Sequence, residues 1–194
     1  MDLELDPART ALVSIDLQRG IAAGPVAPHA ASDVVARTAE IARALRAAGG
    51  TVVLVRVTPS ADRRDALHPL TDTPLWTPAP QPADWAEILP ELGPAAGDIV
   101  ITKRQWGAFY GTELDLQLRR RGVDTILLAG ISTNVGVEST ARDAYERGYQ
   151  QVFVEDAMSA RSADDHEHTV RSVFPKIGRV RSTADVLAAL RSAP

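Results

Sequence analysis

Short apolar runs rich in β-branched residues recur along this chain, and nearly every one is followed by an amphipathic stretch of helical length. Ala11–Ile15, Thr51–Val57, Ile99–Thr102, Thr125–Gly130, Gln151–Val154 and the short Val180–Arg181 read as six strands. Ser32–Ala48 reads as a helix capped by Ser32, with Val34, Ile41, Leu45 and Ala48 on one face and Gly49-Gly50 as its stop. Thr112, with Asp115 three residues on, opens a helix ending at Gly122, and another helix spans Val135–Arg147. Ser162 with Asp165 opens a further helix closed by Pro175, and Ala184–Leu190 forms the last. Strands that are apolar throughout need cover on both faces, so the alternation predicts an α/β fold with a parallel sheet between helical layers. At 194 residues the chain fits one domain, spanning 1–194.

One segment breaks the alternation. Residues 58–97 hold eight of the thirteen prolines and two of the three tryptophans, Trp76 and Trp85. A connection this long inside a compact domain is usually functional or disordered. The tryptophans favour an ordered lid or an oligomer contact, and a packed crossover that merely covers sheet edge is the alternative.

Composition removes several function classes. Lys plus Arg is 21 against 25 for Asp plus Glu, a net charge of −4, which argues against a sequence-independent nucleic-acid binder. The chain has no cysteine, so it has no disulfide, no zinc–thiolate site and no thiol nucleophile. No apolar run approaches the ~18 residues of a spanning helix. The start, Met1–Asp6, is acidic and lacks the basic character of a signal peptide. A cytoplasmic protein with no membrane and no nucleic-acid partner is expected.

In an open parallel sheet, ligands bind beyond the carboxyl ends of the strands. Asp16 ends the first strand, Lys103 follows the third, and the turn Gly130–Gly136 follows the fourth and enters a helix. Each alone has an ordinary reading, as a loop cap or a solvated lysine. Together, on one sheet edge, an acid and an amine beside backbone N–H groups at a helix start make a place for acid–base chemistry on an anion. Other motifs are weak. No G-x-G-x-x-G follows the first strand and no P-loop occurs. His166 and His168 are two apart on a helix and read as solvated surface; His29 and His68 sit in loops without carboxylates at ligand spacing. The run Arg119-Arg120-Arg121 suits a helix end.

Asp16-Leu17-Gln18, Lys103 with Phe109–Leu114, and above all Gly130–Ala144 resemble the isochorismatase-like hydrolase superfamily over nearly the whole chain. The resemblance implies a Rossmann-like, three-layer α/β/α sandwich with a six-stranded, mostly parallel sheet. Most such members are amidases in which an Asp, a Lys and a Cys act together; the matching positions are Asp16, Lys103 and Gly136. The resemblance further implies a cis peptide at Ile131–Ser132, with the N–H groups of Ser132 and Gly136 as an oxyanion hole. Trp106 and Phe109 would wall the pocket, and Asn134 is read as a helix cap. Homodimer or homotetramer assembly is implied as well.

Gly136 removes the nucleophile, since a glycine forms no thioester. The namesake isochorismatases also carry glycine there and cleave a vinyl ether by protonation of the enol-ether carbon, which needs no nucleophilic side chain. They carry Tyr-Ala-His where this chain has Ser132-Thr133-Asn134, and glutamine where it has Thr58, so the reaction class is implied and not isochorismate itself. A cysteine-less bacterial branch without assigned activity is the other likeness, through Arg104–Thr112 and the Ser-Thr-Asn-Val-Gly turn. The Asp-x-His motif of metal-binding members is not reproduced by Asp62 and His68, so no metal and no cofactor are expected. Three readings stay open: a cysteine-independent Asp/Lys hydrolase of a small carboxylate-bearing molecule, a non-catalytic small-molecule-binding pseudoenzyme, and a structural oligomer.

Overall fold

The computed structural model describes residues 3–73 and 81–192; Trp76 lies outside them. Its strands are β1 (Thr10–Ile15), β2 (Thr51–Val57), β3 (Ile99–Lys103), β4 (Thr125–Ile131), β5 (Gln150–Ser159) and β6 (Arg179–Arg181). Its α-helices are α1 (Arg19–Ala22), α2 (Ala31–Ala47), α3 (Leu114–Arg120), α4 (Glu138–Glu146), α5 (Ala163–His168), α6 (Phe174–Ile177) and α7 (Thr183–Ser192). The sheet has six strands in the order β3-β2-β1-β4-β5-β6, and every pairing is parallel.

Alternation along the strands divides the core in two. Leu12, Leu54, Leu127 and Val152 join Ile41 and Leu45 of α2 and Val186 of α7 on one face. Val13, Ile15, Val53, Ile101 and Leu128 join Leu118 of α3, Ala141 of α4 and Phe174 of α6 on the other. The result is a three-layer α/β/α sandwich. The strand order reverses direction between β1 and β4, which makes their carboxyl ends the switch point where such sheets hold ligands. Gly130 permits that junction: its φ is +127°, and a Cβ there would lie 2.1 Å from the Ile15 carbonyl oxygen.

Several local expectations are corrected. Helix α2 begins at Ala31 with Ala30 in the cap position, so Ser32 lies inside its first turn. Pro175 does not close the helix at its own position; α5 runs through a π-helical turn, Thr169–Val173, into α6, whose second residue is the proline and which ends two residues later at Ile177. The helix expected from Thr112 starts at Leu114, although Thr112 Oγ1 accepts the Leu114 N–H. Strand β5 continues five residues beyond Val154, past the polar pair Glu155-Asp156.

The segment after β2 returns to the sheet edge. Gln18 pairs with Ile88 in an antiparallel bridge, Leu89 N–H donates to the Leu17 carbonyl, and Gly20 N–H donates to the Trp85 carbonyl. The Gln18 amide also closes the end of β2, bonding both Val57 N–H and Val57 C=O. The Trp85 indole lies directly on Gly20, where a Cβ would come within 1.9 Å of the ring. Gly20→Ala is therefore expected to expel the indole and to lower stability by about 1–3 kcal/mol through overpacking. Denaturant titration measures the loss, and faster proteolytic cleavage between residues 58 and 97 locates it. Unchanged cleavage would show that Trp85 does not anchor the segment.

Candidate active site

Asp16 is the first residue beyond β1 and has φ +53°, a left-handed conformation that aspartate tolerates better than most residues. Its N–H still continues the ladder, donating to Val55 C=O at 3.0 Å. Lys103 ends β3, two strands away, a separation of about 10 Å at ordinary strand spacing. Its long stem crosses the end of β2 and brings Nζ to 2.8 Å from Asp16 Oδ2. Both side chains are buried, and Nζ also donates to the Trp106 carbonyl. Asp16 Oδ1 is buried and accepts no hydrogen bond. Burial pushes the Asp16 carboxyl up to about 6, overcoming the charge and hydrogen bond of Lys103, which pull it down.

Beyond β4, the Ile131–Ser132 peptide is cis, and a π-helical turn, Thr133–Val137, leads into α4. Gly136 lies in that turn. A Cβ added to it would stand 3.1 Å from Asp16 Oδ2 and 3.1 Å from Lys103 Nζ, so the glycine faces the acid and the amine at contact distance.

Asp16, Lys103, Ile131, Ser132, Gly136 and Trp106 line one cavity of about 260 Å³. Arg63, His68, Arg104 and Arg161 line it too, while Asp16 is the acidic member among the described lining residues. Arg104 pairs with Asp65 through Nε, but its Nη1 is buried without a partner. The 58–97 segment supplies Arg63, His68 and Trp85 to the wall.

Phe109 is corrected: it is not in the cavity wall but buried in the core, 5.7 Å from the Tyr149 ring centroid. Asn134 is corrected as well, since Ser132 occupies the cap position and Asn134 Oδ1 is buried without a hydrogen bond. His166 is not on a solvated surface; it is buried, with Nδ1 2.9 Å from Thr133 Oγ1. Burial and the nearby His29 hold its imidazole below the usual range. The arginines of the wall escaped sequence reasoning, though Arg104 adjoins Lys103 and Arg161 lies just past the end of β5. The strand-end rule would have found Arg161 had β5 been read at its full length.

A parallel α/β/α sandwich with a buried acid–amine pair and an amide turn at its switch point defines the structural class. The model of the Isochorismatase domain matches residues 10–185, and the chain belongs to the isochorismatase family. It is 52% identical over 189 residues to "Uncharacterized isochorismatase family protein YecD" of Escherichia coli O157:H7, covering 97% of this chain and 100% of that protein. It is 32% identical to a maleamate amidohydrolase of Pseudomonas putida, over 94% of this chain and 87% of the relative. The solved structure of an isochorismatase family protein from Burkholderia thailandensis superposes with a TM-score of 0.93 at 48% identity, covering 97% of this chain and 98% of that one.

Proposed function

We propose that this chain is a cysteine-independent hydrolase that cleaves a small carboxylate-bearing enol ether, with Asp16 as the acid. The observation that carries the reading is the Asp16 carboxyl: it is buried and raised to about 6, its Oδ1 has no hydrogen-bond partner, and its Oδ2 lies 3.1 Å from where a Cβ of Gly136 would stand, the position at which the family resemblance implies a thiol. A carboxyl at that value keeps roughly one-tenth of its molecules protonated at pH 7, enough to act as a general acid.

Protonated Asp16 gives its proton to the methylene carbon of the enol ether, and the ether carbon becomes an oxocarbenium ion. Water adds to that carbon and returns a proton to Asp16. The hemiketal then breaks its bond to the alkoxy oxygen, which takes the hydroxyl proton, releasing an alcohol and a 2-keto acid. Lys103 stabilises the carboxylate formed at the first step. The N–H groups of Ser132 and Gly136 and the Arg104 guanidinium bind the substrate carboxylate, and Trp106 covers the ring or chain of the alcohol part. Arg63, His68 and Trp85, on the cavity wall, shield the cation from bulk water. The excess of cationic groups on the cavity wall supports an anionic substrate.

The test is a panel of 1-carboxyvinyl ethers of small alcohols, isochorismate among them, assayed for pyruvate, beside a panel of small carboxylate-bearing amides assayed for ammonia. Turnover of an enol ether is expected. Binding of panel members with no turnover of either kind would assign the chain to the binding-protein reading instead.

A further inference from the structure

We propose that His29, Glu155 and His166 form a site for a divalent first-row transition metal, zinc in particular, outside the substrate cavity. None of the three lines that cavity. Each offers one ligand atom, and these atoms lie within 4.8 Å of one another. The His29 and His166 rings meet edge to face at 5.9 Å between centroids, and His29 Nε2 is 3.9 Å from Glu155 Oε2. Two imidazoles and one carboxylate are a donor set that zinc takes readily, leaving a further position for water.

Three separate parts of the fold hold the set in place. His29 follows the Ala27–Pro28 bond, and its backbone is pinned to the end of β5: His29 N–H donates to Ser159 Oγ, which donates in turn to His29 C=O. Ala27 and Ala160 exchange both backbone hydrogen bonds beside it. Glu155 projects from β5 itself. Its neighbour Asp156 is committed to Thr183 and Arg37, whereas Glu155 faces His29. His166 stands on α5, whose start is fixed by Ser162 accepting the Asp165 N–H.

His166 carries the second feature expected of a ligand. Its Nδ1 lies 2.9 Å from Thr133 Oγ1, a contact that orients the ring and leaves Nε2 as the nitrogen to bind the metal, with the hydroxyl able to accept the Nδ1 proton when it does. Zinc–nitrogen bonds of about 2.0–2.1 Å need ligand atoms roughly 3.4 Å apart, so the set must draw in by about 1 Å. His29 and Glu155 are partly exposed and can make that movement, while buried His166 stays. Thr133 directly follows Ser132, so the metal would brace the turn that carries Gly136 through a single hydrogen bond.

The experiment uses the untagged full chain, stripped with a chelator and titrated with zinc chloride by calorimetry and with cobalt(II) by visible absorption. One zinc per chain and cobalt d–d bands typical of low coordination are expected. His29→Ala and Glu155→Gln, both at partly exposed positions, should each weaken zinc binding by about 100-fold or more, and Thr133→Val by about 10-fold with the bands retained. No zinc uptake below millimolar concentration, or uptake that neither His29→Ala nor Glu155→Gln alters, overturns the assignment.

Discussion

Asp16→Asn is expected to lower kcat on an enol-ether substrate by about 10³-fold, the scale of a lost general acid. The sign of the pH dependence is the sharper result. An acid with a value near 6 works while protonated, so wild-type kcat/KM should be flat at low pH and fall about tenfold per unit above 6. A base acting on water toward an amide would give the reverse: a limb rising through 6 to a plateau. A rising limb would therefore remove the acid role while keeping Asp16 at the centre of the site. The residual rate of Asp16→Asn should show neither limb. Asparagine leaves the buried Lys103 ammonium without its counter-charge, and breaking a buried pair in this way typically costs about 3–5 kcal/mol. Loss of activity must therefore be separated from loss of fold. The double variant Asp16→Asn, Lys103→Met replaces the pair with neutral groups of similar size. It should recover most of the stability and none of the turnover.

That pair explains why so much of the site was legible in the chain. A parallel sheet presents the ends of all its strands on one edge, so a polar residue directly after an apolar run already has a location. Asp16 after β1 and Lys103 at the end of β3 follow that rule, and the structure brings them to 2.8 Å. What the rule cannot see is a side chain whose burial is set by a distant element. His166 looks solvated by helical spacing, yet Thr133, 33 residues away, takes it into the interior. Phe109 looks like a pocket wall beside Trp106, but its ring is buried against Tyr149, with the exposed Arg147 guanidinium 5.2 Å from its centroid. Glu155 and Asp156 interrupt the apolar run of β5, so the sequence pattern ends at Val154 while the strand continues to Ser159. With that end missing, Arg161 and the approach of His29 to Glu155 had no frame to be read against. Pro175 misleads for a local reason: the π-helical turn before it leads straight into α6, so the helical run passes the proline and ends at Ile177.

Gly136 carries the remaining large effect. Its backbone lies outside the left-handed region, so the turn accepts an L side chain without conformational strain. Space is the obstacle. A Cβ would sit 3.0 Å from Ile15 Cγ2 and 3.1 Å from both Asp16 Oδ2 and Lys103 Nζ, so its neighbours must yield by a few tenths of an ångström. Gly136→Ala should fold, with a melting temperature within a few degrees of wild type, and lose about 100-fold in kcat/KM because the methyl group displaces the reacting carbon from Asp16. Gly136→Cys turns the same geometry into a chemical readout. The wild-type chain has no cysteine, so labelling by iodoacetamide has no background. A thiol beside the Lys103 ammonium, with Asp16 able to take its proton, should titrate well below the ordinary value of about 8.5 and alkylate faster at pH 7 than a free thiol. If the acid–amine frame matches that of the amidase relatives, the variant also gains ammonia release from small carboxylate-bearing amides. A thiol that titrates normally and labels slowly would mean that Asp16 and Lys103 do not face position 136 in solution. The enol-ether mechanism, which draws on the same contact, would fall with it.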